Sequence, residues 1–430
     1  MPLFGGTSAD VPVPEKKNGE LSVLRSAPSG VAMRSDRIKG FFRRGFSLLL
    51  SVFALTAAFA PAALADPPDE EVVRIFKKRK TIGGMVLAAK DGRIVYSRCY
   101  GYANKKAKEP VSPDTYFKLA SVSKLVTAAA VMRLVDEGRL DLDENVGHFI
   151  GNPPYEAASP WFPEVPLTSR LLMTHTAAVY DGKGAFARAD GLSDILNPKL
   201  NRGKSGFLKE KPGTVYKYSN YGAGIMGCVL EAVTGLRLTD AVKELLFGPL
   251  EIDAAYDPSL LRVPERIVTT YKANGSAGVT RSYRLKQRYN EKISLEKDFK
   301  ESYGGLWIRG EDLCRIGILL CDGGILGGQR ILSEEAVAEM LSSQKGKGGV
   351  LIDSPYGLNV ERVTNLLPGR MIYGHQGLAN GVLCSLYFDP ETRFVFALLT
   401  NGCNVNAKRD HICMLARDLF ALMWSSYAQD

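Results

Sequence analysis

Nowhere in the 430 residues is there a Gly-x-Ser-x-Gly pentapeptide, a His-Glu-x-x-His or a Cys-x-x-Cys. The first absence excludes the strand-to-helix nucleophile turn of the α/β-hydrolase lipases. The other two leave no zinc signature. A P-loop is also missing, as is any Gly-x-Gly-x-x-Gly that follows a strand, so no nucleotide cofactor is indicated. No metal and no cofactor is expected.

Histidine is scarce, with His148, His175, His375 and His411 making up the full set. Basic runs interleaved with aromatics are absent. Eight Lys or Arg against four Asp or Glu in residues 1–65 account for much of the +9 net charge and leave the rest of the chain only modestly basic. Nucleic-acid partners are therefore not expected. Lys77-Lys78-Arg79-Lys80 reads as a solvated helix end. The body is 45% hydrophobic and 23% charged, enough for a sizeable core.

What stands out is Ser121-Val122-Ser123-Lys124. It puts a hydroxyl and an amine three residues apart at the front of an apolar run over 125–135, which Gly138 ends. Positions i and i+3 share a helix face. A serine alcohol is a weak nucleophile until a base takes its proton, and an amine one turn away, sheltered from water, can do that. The same Ser-x-x-Lys spacing occurs at Ser294 with Lys297 and at Ser342 with Lys345, but neither opens an apolar helix. An ordinary helix cap is the plain alternative for Ser121.

Two later motifs favour the chemical reading. Tyr218-Ser219-Asn220 offers a phenol and an amide. His375-Gln376-Gly377 leads into Leu378 and then a strand pattern closed by Asp389-Pro390, and its glycine would let a substrate backbone approach. Tyr102-Ala103-Asn104 and Lys204-Ser205-Gly206 are read as chance matches in loops. His148 and His411 are read as ordinary surface or helix residues, and His175 as structural.

Ser-x-x-Lys, Tyr-x-Asn and His-x-Gly in this order resemble the penicillin-recognising serine hydrolases: class C β-lactamases, D-alanyl-D-alanine carboxypeptidases, D-aminopeptidases and related esterases. Phe117-Lys118-Leu119-Ala120, Gly138-Arg139-Leu140-Asp141, Leu172-Met173-Thr174-His175 and Gly304-Gly305-Leu306 extend the likeness to most of residues 83–422. The resemblance implies that Ser121 attacks a carbonyl and that Lys124 and Tyr218 handle its proton. Asn220 would bind the substrate carbonyl, and the N–H groups of Ser121 and Leu378 would form an oxyanion hole beside Gly377. His375 would stand where relatives have Lys, hydrogen-bonding toward Tyr218. Gln376 and Leu378 replace hydroxyl residues that bind a free carboxylate in many members. That favours a small ester or D-amino-acid-containing peptide as substrate over an efficient β-lactamase or strict carboxypeptidase. The alternatives are a slow-turnover sensor that binds penicillins or cell-wall peptides, or a true class C-like β-lactamase or D,D-carboxypeptidase.

Residues 33–65 read as a signal peptide, with a basic segment, an apolar stretch over 46–60 and Ala63-Leu64-Ala65 before Asp66. Arg43-Arg44 gives it a twin-arginine flavour, so export to the periplasm or beyond is expected. An uncleaved membrane anchor ranks second. Residues 1–32 read as a disordered extension and 66–430 as the hydrolase domain, expected to be a monomer with no membrane span once processed. Seven cysteines cannot all pair internally and read as small buried hydrophobes. Strand hairpins near both ends, at 84–89 with 93–100 and at 371–375, 381–388 and 394–400, flank a mainly helical stretch over 140–300. A helix is expected over 407–424. The expected class is α+β, an antiparallel sheet built from both chain ends, flanked by helices and carrying an inserted helical lobe.

Overall fold

The computed structural model describes residues 69–182, 191–200, 206–286 and 301–428. The expected extension and signal peptide lie outside these residues. So do Ser294, Lys204 and Ser205.

A seven-stranded antiparallel sheet is assembled from both ends of the domain. From the front come β1 (Gly83–Lys90), β2 (Arg93–Asn104) and β3 (Glu109–Pro110). From the back come β4 (Glu361–Val363), β5 (Ile372–Ala379), β6 (Val382–Asp389) and β7 (Phe394–Thr400). Their order is β4-β5-β6-β7-β1-β2-β3, so β1 and β7 join the two ends at the centre. Asp91 and Gly92 both adopt positive φ in the two-residue turn between β1 and β2, the geometry a tight hairpin needs.

Strand periodicity sorts the core. Met85, Leu87 and Ala89 of β1, with Val395, Ala397 and Leu399 of β7, face one apolar layer. Val86 and Ala88, with Phe394, Phe396 and Leu398, face another. The first layer is covered by α2 (Val122–Asp136) and α4 (Gly310–Cys321), the second by α1 (Asp69–Lys78) and α5 (Met414–Tyr427). Both faces are thus sealed, and β1 is buried almost end to end.

Between the two sheet halves lies the mainly helical stretch, including α3 (Asn220–Thr234), which ends at left-handed Gly235. A small sheet of Tyr116–Lys118, Trp307–Arg309 and Ala254–Ala255 ties that stretch to the entry of α2. The last helix starts at Met414, later than the sequence suggests. Residues 408–413 instead form a short hairpin whose strands are Lys408–Arg409 and Ile412–Cys413. None of the seven cysteines is joined in a disulfide, and six are buried. Among the described residues no helix is long and apolar enough to cross a membrane.

Candidate active site

Ser121 precedes the first turn of α2, and its side chain makes no capping hydrogen bond, which sets aside the plain helix-cap reading. The residue before it, Ala120, sits at φ 48°. A left-handed alanine costs roughly 1–3 kcal/mol and persists only where its surroundings enforce it. Here the enforcing neighbour is β5. A Cβ on Gly377 would lie 2.1 Å from Leu119 O and 3.0 Å from Ser121 N, so only glycine lets the strand press against the nucleophile turn. The glycine therefore serves approach by the chain's own backbone, where the sequence suggested approach by a substrate.

Lys124 is fully buried inside α2's packing. Its Nζ lies 3.1 Å from Ser121 Oγ, 2.9 Å from Asn220 Oδ1 and 2.9 Å from Tyr303 O. Desolvation lowers its pKa to about 7, against the pull of Asp181 and Glu361. Neutral, the amine has two N–H groups and one lone pair. Two carbonyl oxygens take the N–H groups, and the lone pair is left for the Ser121 hydroxyl.

Tyr218 is hydrogen-bonded to Ser121, and its ring centroid lies 4.9 Å from Lys124 Nζ. Burial raises its pKa, so it is a neutral phenol in the resting site. Asn220 is the first residue of α3. Asp181 fixes that helix start by accepting from Ser219 Oγ at 2.6 Å, Asn220 N at 2.7 Å and Tyr221 N at 3.1 Å. Ser219 Oγ in turn accepts from Gly222 N at 3.0 Å as the helix cap.

His375 is buried on β5 and does not hydrogen-bond Tyr218, whose ring centroid is 6.3 Å away. Its Nδ1 lies 2.6 Å from Gln376 O, and its Nε2 is 3.5 Å from the Tyr356 hydroxyl. Desolvation drops its pKa to about 3, so it is neutral and no stand-in for a lysine cation. Gln376 is occupied at both ends, donating to His411 O at 2.7 Å and accepting from Cys413 N at 3.2 Å. Leu378 lines the cleft beyond it.

These groups open onto a cleft of about 850 Å³, which Ser121, Tyr218, Asn220, His375 and Leu378 help to line. The backbone ladder between β4 and β5 stops at residue 374, and His375, Gln376, Leu378 and Ala379 beyond it line the cleft. The sequence reading missed Asp181, Tyr303, Tyr356 and Glu361. It also gave His411 no part in the site. His411 lines the cleft and supplies the carbonyl that holds Gln376, while His175 packs 4.4 Å from the Tyr218 ring and accepts from Ser219 N at 3.3 Å. His148 is a surface residue that bridges Glu144 and Glu156. Among the described residues no group of His, Cys, Asp and Glu could hold a metal ion.

The beta-lactamase family model matches residues 69–418, a span that contains every one of these groups. The chain belongs to the beta-lactamase family. It is 32% identical to esterase EstB of Burkholderia gladioli over 237 residues, which are 52% of this chain and 58% of that protein. To penicillin-binding protein 4* of Bacillus subtilis it is 30% identical over 196 residues, 44% of this chain and 41% of that protein. The chain thus spans about half the length of these curated relatives. The octameric penicillin-binding protein homologue from Pyrococcus abyssi superposes with a TM-score of 0.63 at 23% identity, covering 84% of this chain and 77% of the other. That likeness carries the fold, which is the β-lactamase/transpeptidase-like arrangement of helices around an antiparallel sheet.

Proposed function

We propose that this member of the family is an exported serine hydrolase that works through an acyl-enzyme on the ester or amide bond of a small ester or D-amino-acid-containing peptide. The observation that carries the reading is the position of Lys124 Nζ, within hydrogen-bond reach of Ser121 Oγ and held by two carbonyl oxygens. Ser121 attacks the carbonyl carbon while its proton passes to the Lys124 and Tyr218 pair. That pair then protonates the leaving group, and water releases the acyl group by the reverse path. The N–H groups of Ser121 and Leu378, on the two backbones that meet at Gly377, serve as oxyanion donors, whose removal generally costs about 100-fold or more. Asn220 steadies Lys124 and the substrate carbonyl.

The leaning toward esters and D-amino-acid peptides rests on β5. A free carboxylate would meet neutral His375, the committed amide of Gln376 and the apolar Leu378, none of which supplies a spare charged donor. The names of the relatives, an esterase and a penicillin-binding protein, accord with substrates of this range. Export through residues 33–65 is supported by the match to the family, which begins at residue 69, just past the expected cleavage point.

A fluorophosphonate probe tests the assignment together with a panel of p-nitrophenyl esters, D-amino-acid amides, D-Ala-D-Ala peptides and nitrocefin. A Ser121 adduct with turnover on esters or D-amino-acid amides is expected. A lasting penicillin adduct without turnover would make the protein a sensor, and absence of any adduct on Ser121 would sink the hydrolase reading.

A further inference from the structure

Glu361 is a largely buried carboxylate in the cleft wall, its side chain 14% exposed, and no step above uses it. Its oxygens accept from the Tyr356 hydroxyl at 2.9 Å, the Tyr387 hydroxyl at 2.9 Å and the backbone of Gln376. Its Oε1 stands 3.9 Å from His375 Nδ1. That nitrogen faces Gln376 O at 2.6 Å, so on neutral His375 it carries the proton and Nε2 carries the lone pair.

The partner recorded for Nε2 is the Tyr356 hydroxyl, 3.5 Å away, and this hydroxyl has a single proton to give. An ionised carboxylate at 2.9 Å takes it in preference to a neutral ring nitrogen at 3.5 Å. Nε2 is then a buried acceptor without a donor, in the wall of a cleft built for a ligand. An unmet buried acceptor is costly, and a ligand that supplies the missing donor gains by it.

Resting on the serine-hydrolase reading, we propose that Glu361 is a positioning residue. Acting through Tyr356, it keeps Nε2 of His375 open as a hydrogen-bond acceptor, so that the cleft favours substrates presenting an N–H or O–H group there over those presenting a carboxylate.

The arrangement has two proton states. The groups that face Glu361 are Lys124 from α2, Tyr216 and Tyr218 from the segment before α3, Tyr356 from the segment before β4, His375 from β5 and Tyr387 from β6. Desolvation dominates and lifts Glu361 to about 7. Protonated, Glu361 donates to the Tyr356 oxygen, the Tyr356 proton turns to His375 Nε2, and the acceptor closes.

Three aryl butyrates that differ only at the meta position of the leaving phenol, carrying hydroxymethyl, methyl or carboxylate, test this. For the unmodified protein at pH 8, kcat/KM for the hydroxymethyl ester should exceed that for the methyl ester by about 3- to 10-fold. The carboxylate should be poorest, and the preference should fade by about pH 5.5. In Glu361→Gln a neutral amide replaces the charge and the preference should vanish at both pH values. In Tyr356→Phe, whose ring cannot close the acceptor, it should persist at both. A wild-type preference retained by Glu361→Gln would overturn the proposal, and so would a preference that still fades at pH 5.5 in Tyr356→Phe. If Glu361→Gln does not fold, the tyrosine variant decides alone. Failure of the underlying reading looks different: Ser121→Ala would then cleave all three esters as fast as the unmodified protein.

Discussion

Lys124 donates from Nζ to Oδ1 of Asn220 across 2.9 Å, joining the first turn of α2 to the first turn of α3. Ninety-six residues separate the pair, and the contact is what brings the first and second motifs into one site.

That buried amine gives the reaction its pH dependence. Lys124 must lose a proton before it can accept one from Ser121, and burial brings that loss down to about pH 7. Activity should therefore rise with pH through about 7 and level off above it. A pH profile of kcat/KM on a p-nitrophenyl ester checks this, and Lys124→Met should abolish the rise along with about 1,000-fold or more of the rate.

Ser121→Ala should remove turnover by a comparable factor, about 1,000-fold or more, and leave the fold intact, because the hydroxyl caps nothing. Mass spectrometry after fluorophosphonate treatment should show one adduct on the unmodified protein and none on the variant.

Asp181→Ala deletes the acceptor for three donors at the start of α3. Loss of such a cap costs about 1 kcal/mol of stability. Because Asn220 is the first residue of that helix, kcat should also fall. Urea unfolding and steady-state kinetics on the same preparation separate the two effects.

His375 predicts an acid-side weakness. It is held neutral down to about pH 3 in the folded protein but takes up a proton near 6.5 once unfolded. Between these values the unfolded chain binds more protons, so stability falls as pH drops from 6.5 toward 3. His375→Gln should lose less stability than the unmodified protein between pH 7.5 and 4.5, as urea midpoints would show.

Much of this was legible in the sequence because it is local. The spacing of Ser121 and Lys124 on one helix, the Asp91-Gly92 turn and the alternation along β7 are all set by neighbours a few residues away. The residues that hold the site were not legible. Asp181 reaches α3 across about forty residues, Tyr303 meets Lys124 across 179, and Glu361 sits on a three-residue strand with no motif around it. The partner of His375 was misjudged for the same reason, since Tyr356 enters only when β4 folds back beside β5. The final helix was expected too early because 408–413 has no strong period of its own and is fixed by contacts of Gln376.

The contact of Gly377 with the Leu119 to Ser121 backbone has a consequence for how this cleft can change. Strand and nucleophile turn touch main chain to main chain, so that side has no side chain to trim or enlarge. Among the cleft-lining residues, Thr364, Asn365 and Lys408 are exposed, and exchanging them leaves that backbone contact untouched.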